Sequence, residues 1–160
     1  MERRLIHQLK HASLAIRTAL DHALADLDLT PAQYVTLDHL AAAPGCSSAE
    51  LARRVMVSPQ SMHTVVADLE RQGLVARQPR PGHGTILELH MTEQGQQLLT
   101  QADARARTLE ERVTADLDQH GRHLHDQLQH CIDALDIPPA DLQPATRTPT
   151  HSANTRAQSQ

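Results

Sequence analysis

Gln60, Ser61, His63 and Thr64 place an amide, two hydroxyls and an imidazole opposite an apolar stripe of Met62, Val65, Val66 and Leu69. Such side chains hydrogen-bond base edges and phosphate oxygens, and a major groove about 12 Å wide admits a helix that carries them. Ser58-Pro59 opens this segment as a capped helix start, which turns free N–H groups and a positive dipole end toward phosphate. Ser47 is a second cap, and both cap hydroxyls are candidate phosphate donors. Arg53, Arg54, Arg77 and Arg80 supply cations for phosphate or the minor groove, and Arg80, His83 and Thr85 belong to a Pro/Gly-rich turn. Arg71 lies in the same region, and Glu50, Asp68, Glu70 and Glu88 offset these five arginines, so the region is nearly neutral. A polar helix face alone is usually just solvated. The pattern around it gives this one its meaning.

Other chemistries lack their residues. There is no Gly-rich phosphate loop, no nucleophile elbow and no carboxylate pair placed for acid–base work, so an enzyme is not expected. His63 and Asp68 are better explained as surface or groove contacts. Cys46 and Cys131 make neither a metal-type Cys-x-x-Cys nor a disulfide framework, which fits a reducing cytoplasm. Cys131 falls within an apolar stripe and reads as a small buried hydrophobe. His120, His123, His125 and His130 crowd the last helix with Asp126 and Cys131, and His123 and His130 share a face. That helix holds no His-x-x-x-His pair, so a solvated or interface cluster is expected there. No metal site and no cofactor is expected.

The elements that must position these residues follow from caps and periodicity. Residues 5–27 read as a helix, with Leu5, Leu9, Ile16, Leu20, Leu24 and Leu27 on one side. Thr30-Pro31-Ala32-Gln33 starts a second helix with a capping box, which Pro44-Gly45 ends. Ser47 to Glu50 repeats the box and starts a helix over 49–55. Met56-Val57 makes a turn before Ser58, and Gly73 closes the next helix. Leu74 to Arg77 is a strand, residues 79–84 are turn chemistry, and Thr85 to Met91 alternates as a second strand, with Leu87, Leu89 and Met91 on one face. Thr92-Glu93 starts a long helix through Leu98, Leu99, Ala102, Ala106, Leu109, Val113 and Leu117. Gly121 interrupts it, and Leu124, Leu128, Ile132 and Leu135 continue on a last helix that Pro138-Pro139 stops. The fold class is mainly α (α+β), a winged helix-turn-helix with a small hairpin wing and an all-helical remainder.

The chain has 160 residues, 39% hydrophobic and 21% charged, with a formal charge of −4 when its twelve histidines are neutral. Its one aromatic residue is Tyr34, which argues against reading nucleic acid by stacking bases on aromatic platforms. No apolar run spans a bilayer, and Met1-Glu-Arg-Arg leads into a polar segment unlike a signal peptide, so a cytoplasmic protein is expected. Residues 138–160 are rich in Pro, Thr, Ser and Gln and read as a disordered tail. The division expected is one domain over 1–137, with 30–91 as the winged module and 5–27 and 93–136 as dimerisation helices.

The sequence resembles the MarR family of bacterial transcription regulators over residues 5 to about 136. The matching runs are Leu29-Thr-Pro-Ala-Gln-Tyr, Ser48-Ala-Glu-Leu-Ala, Val57-Ser-Pro-Gln-Ser-Met-His-Thr-Val, Leu69-Glu-Arg-Gln-Gly-Leu-Val-Ala-Arg and Leu89-His-Met-Thr-Glu-Gln-Gly. The resemblance implies an obligate homodimer joined through the first and last helices, with recognition helices in successive major grooves and wings at the minor groove. It also implies a repressor that leaves DNA when a small phenolic or xenobiotic ligand binds between the dimer helices and the DNA-binding lobe. Redox sensing through a first-helix cysteine is not expected, because this first helix has none. The wing departs from the family pattern. It reads Arg80-Pro-Gly-His-Gly-Thr85, with Thr85 where an Arg often stands, which leaves minor-groove insertion to Arg80 or His83. Arg80 is the longer and always charged choice.

Dimerisation also follows from the pattern alone. The first and last helices carry more apolar positions than one small lobe can cover, so Leu5, Leu9, Leu124, Leu128 and Ile132 would be exposed in a monomer. The expected partners are a second copy, a pseudo-palindromic duplex DNA and a small effector, with no membrane. The alternatives are a zinc-responsive repressor and a winged-helix dimer that binds protein instead of DNA.

Overall fold

The structure is a computed structural model that describes residues 4–80, 83–115, 117 and 120–135, with side chains described for all of these except 80, 83–86 and 120–122. The predicted tail lies outside the described residues. Helices α1 (Leu5–Leu24), α2 (Pro31–Ala42), α3 (Ser48–Val55) and α4 (Pro59–Arg71) precede a hairpin of β1 (Val75–Arg80) and β2 (His83–Met91). Helices α5 (Glu93–Thr114) and α6 (His120–Leu135) follow.

The helix starts are built by the side chains that announce them. Thr30 accepts from the Gln33 N–H while the Gln33 side chain receives the Thr30 N–H at 2.9 Å. Ser47 and Glu50 make the same reciprocal pair, at 3.3 and 2.7 Å. Ser58 and Thr92 cap α4 and α5 by accepting from the N–H groups of Ser61 and Gly95. Each such cap stabilises its helix by about 1 kcal/mol.

The core lies where α2, α3, α4, the hairpin root and the start of α5 meet. Leu37, Leu40, Leu51, Met62, Val66, Leu69, Leu89 and Leu99 are buried there, and Leu24 brings in the end of α1. The hairpin is antiparallel, pairing Val75 with Met91 and Arg77 with Leu89, with an irregularity between Pro79 and Arg80. The other side of β2 is also occupied. Gly45 donates its N–H to the Leu89 carbonyl, and the Leu89 N–H donates to the Cys46 carbonyl, each at 3.0 Å. The loop before α3 thus covers the outer edge of β2 at Leu89, which ties the hairpin root to the helical lobe.

Several boundaries differ from the sequence reading. The first helix ends at Leu24, and Ala25–Leu27 continue as a 3-10 turn that closes on Asp28 with φ 50°. β1 runs to Arg80 through Pro79, because β1 is the sheet edge and a proline there forfeits no ladder donor. β2 begins at His83, two residues early. Gly121 does not break the chain: α5 stops at Thr114, and Gly121 falls in the first turn of α6. Leu87 alternates in step with Leu89 and Met91, yet it is exposed, because the hairpin there has passed beyond the lobe.

Cys131 is exposed, which corrects its reading as a buried hydrophobe. The described side chains of α6, 123–135, are all exposed, so its apolar stripe has no cover among the described residues. Leu124, Leu128, Ile132 and Leu135 lie open, as do Leu5, Ile6, Leu14 and Ile16 on α1 and Val113 at the end of α5. Leu9 is half-buried instead of open.

Candidate nucleic-acid interface

The α3–turn–α4 unit is short because its turn is tight. Met56 takes φ 56° and closes α3, and the Val57 N–H returns to the Ala52 carbonyl at 3.0 Å. Ser58 then caps α4. The sequence puts Leu51, Ala52, Met62, Val66 and Leu69 on the sides of α3 and α4 that face the core, and all five are buried.

The opposite side of α4 is polar and open. Gln60, His63 and Thr64 are exposed, with Ala67 and Arg71 continuing the same row. The Thr64 hydroxyl donates to the Gln60 carbonyl at 3.2 Å, leaving its lone pairs and methyl outward. Toward a base it can therefore accept a hydrogen bond or pack on a methyl group. Ser61 is half-buried, and its hydroxyl shares a 2.9 Å hydrogen bond with that of Ser58. Ser58 itself is buried. The Ser47 hydroxyl donates to Glu50 at 2.8 Å. The two cap hydroxyls are thus committed within the chain, and the N–H groups of the first turns carry the local positive potential.

The arginines divide. Arg53 and Arg54 are exposed at the end of α3, beside a hollow of about 580 Å³ lined also by Ala43, Pro44, Gly45, Cys46 and Glu50. Burial, and then the Glu50 carboxylate, push the Cys46 thiol up, with Arg54 partly opposing. Arg77 is different: its Nε donates to Glu70 at 3.0 Å, pinning the hairpin root to the last turn of α4. Seven residues and a turn separate that pair, so helical spacing gave no signal for it. Arg71 pairs with Asp68 at 3.0 Å within α4. Arg80, His83 and Thr85 occupy strand positions at the far end of the hairpin, and their side chains lie outside the described residues.

One joint sets the angle between α4, the hairpin and α5. Thr92 donates its hydroxyl to the Gly73 carbonyl at 2.7 Å and its N–H to the Leu74 carbonyl at 3.0 Å. Gly95 packs so closely that an added Cβ would stand 2.2 Å from the Leu74 carbonyl oxygen. Gly73, at φ 73°, makes the left-handed exit from α4 that other residues rarely adopt. Behind this joint, Tyr34 of α2 faces Asp103 of α5. Burial first, then the Asp103 charge and hydrogen bond, push its hydroxyl up to about 12.

Two short helices at a tight turn, a solvent-facing row on the second and a hairpin pinned to its end define a winged helix-turn-helix protein. The MarR family model matches residues 27–84. The HTH-type transcriptional repressor Rv2887 of Mycobacterium tuberculosis is 41% identical over 102 residues, which cover 64% of this chain and 73% of that repressor. The crystal structure of Rv2887 in complex with salicylic acid matches with a TM-score of 0.65 at 35% identity, covering 81% of this chain and 97% of the other. The transcriptional repressor CouR, bound to a 23-mer DNA duplex, matches with a TM-score of 0.69 at 29% identity, over 82% and 91% of the two chains. The chain belongs to the MarR family of transcription regulators.

Proposed function

We propose that this chain is a homodimeric repressor that binds a pseudo-palindromic duplex through α4 and the hairpin and is released by a small aromatic ligand. The polar row of Gln60, His63 and Thr64 carries the reading. It stands exposed on a helix whose other face is locked in the core, so it is rigid and available for base edges. Arg53 and Arg54 are the phosphate contacts of this proposal, with the N–H groups of the first turn of α4. Arg80, His83 and Thr85 are its wing contacts. Arg77, tied to Glu70, aims the wing and makes a smaller direct contribution.

The pairing region of the proposal is residues 5–27 and 93–136, with 30–91 as the reading head. The open apolar faces of α1, α6 and the end of α5 support it, since a soluble chain rarely leaves such patches uncovered. The relatives bound to DNA and to salicylic acid support the duplex and the effector class. Ligand control would be a population shift toward a spacing of the two reading heads that misfits adjacent grooves. A cytoplasmic location suits this role, and among the described residues no helix is long and apolar enough to cross a membrane.

Fluorescence anisotropy with the DNA upstream of the coding region tests the proposal. Salt-sensitive, sequence-specific binding that salicylate weakens is the expected result. Affinity no greater than for random duplex would overturn it.

A further inference from the structure

The His-x-x-x-His pair that the last helix lacks is present on the first. His7 and His11 are four apart in α1, and both are exposed. At that spacing two side chains are neighbours on one face of a helix, with Cβ atoms about 5–6 Å apart. Imidazoles so placed can grip one late first-row divalent ion. His123 and His130 on α6 are seven apart, about 10 Å along the axis, too far to share an ion within one helix. Among the described residues, no group of three or more His, Cys, Asp or Glu side chains is placed to hold a metal.

We propose that His7 and His11 form a two-imidazole chelate for a late first-row divalent cation, with water or a second copy completing the coordination. The start of α1 gives the chelate something to do. Arg4, at its N-cap, makes no side-chain cap hydrogen bond, and no acidic residue stands in the first turn. A bridge between these histidines spans the first two turns and holds them helical. Because Leu5 and Ile6 project from the same turns, the ion also steadies part of the apolar face proposed for pairing.

The test is calorimetric titration of the untagged full chain with Zn²⁺, Ni²⁺ and Mg²⁺, with thermal melts alongside. Four variants of α1 accompany the parent chain and a His123→Ala, His130→Ala chain: His7→Ala, His11→Ala, His22→Ala, and a double variant, His11→Ala with Ala12→His. The double variant keeps the number of histidines but moves the pair to a spacing of five, on different faces. All the sites changed are exposed, so each variant is expected to fold. Zn²⁺ and Ni²⁺ should bind the parent and His22→Ala chains alike and raise their melting temperatures, with no effect of Mg²⁺. The tightest binding class should weaken at least about tenfold in His7→Ala, His11→Ala and the double variant, because the second imidazole acts as an intramolecular ligand. Retention of that class in those three variants would overturn the proposal. So would its loss in a His123→Ala, His130→Ala chain that keeps His7 and His11, or the lack of saturable Zn²⁺ and Ni²⁺ binding by the parent.

Discussion

At the scale of single residues, the proposed interface separates groups that read sequence from groups that supply charge. Gln60→Ala and Thr64→Ala should each weaken specific binding by roughly 1–3 kcal/mol per base interaction removed while leaving random-sequence binding nearly unchanged. Arg53→Ala and Arg54→Ala should weaken both kinds of binding and lower the salt slope by about 0.9 for each phosphate no longer neutralised. Anisotropy titrations across salt separate the two patterns. Arg77→Ala is expected to change the salt slope less, because its guanidinium already faces Glu70. That distinction was not legible in the sequence, where Arg77 looks like any other arginine of a basic patch. The cap residues were legible, since Thr30–Gln33, Ser47–Glu50, Ser58 and Thr92 act within three residues of themselves. The commitment of the Ser58 hydroxyl to Ser61 was not, because it depends on how deeply the cap is buried.

At the scale of elements, the joint between α4, the hairpin and α5 fixes where the proposed reading helix points. Gly95→Ala drives a methyl into a backbone carbonyl that cannot swing aside, and should destabilise the fold by at least about 1–3 kcal/mol in thermal or denaturant unfolding. The Tyr34–Asp103 pair joins α2 to α5 and gives a pH signature. The folded state holds the phenol neutral up to about 12, whereas in the unfolded chain it ionises near 10. The stability it contributes is therefore complete below about pH 10 and is lost as pH rises through about 12. Unfolding midpoints should fall more steeply over that window in the parent than in Tyr34→Phe, and parallel curves would show that the fold does not hold the phenol neutral. Helices α2 to α5 were readable because each has its own cap and period, and α1 and α6 from their period alone. The length of β1 was not, since tolerance of Pro79 depends on β1 lying at the edge of a sheet. That sheet's other neighbour, the 45–46 loop, is over forty residues from Leu89 in the chain.

For the whole molecule, the apolar faces that lie open among the described residues are the basis of the proposed pairing. Leu124, Leu128, Ile132 and Leu135 on α6, with Leu5, Ile6, Leu14 and Ile16 on α1, form more open apolar surface than a lone chain is expected to keep in water. The proposed pairing through them would put two copies of α4 on one scaffold. The paired substitution Leu128→Glu with Ile132→Glu should therefore yield a monomer in sedimentation, and lower operator affinity by much more than Gln60→Ala or Thr64→Ala does. The sequence already indicated the surplus of apolar positions. It did not indicate that α6 would lie open along its whole described length, Cys131 included, because burial between copies leaves the same periodicity as burial within one.

The most direct test of the paired reading head is hydroxyl-radical footprinting on the upstream DNA. Two equivalent protected segments should be centred about one helical turn, 10–10.5 base pairs, apart, and both should vanish together in the Leu128→Glu, Ile132→Glu chain. A single protected segment, or protection that survives when the chain is monomeric, would contradict a two-fold reader built on α4.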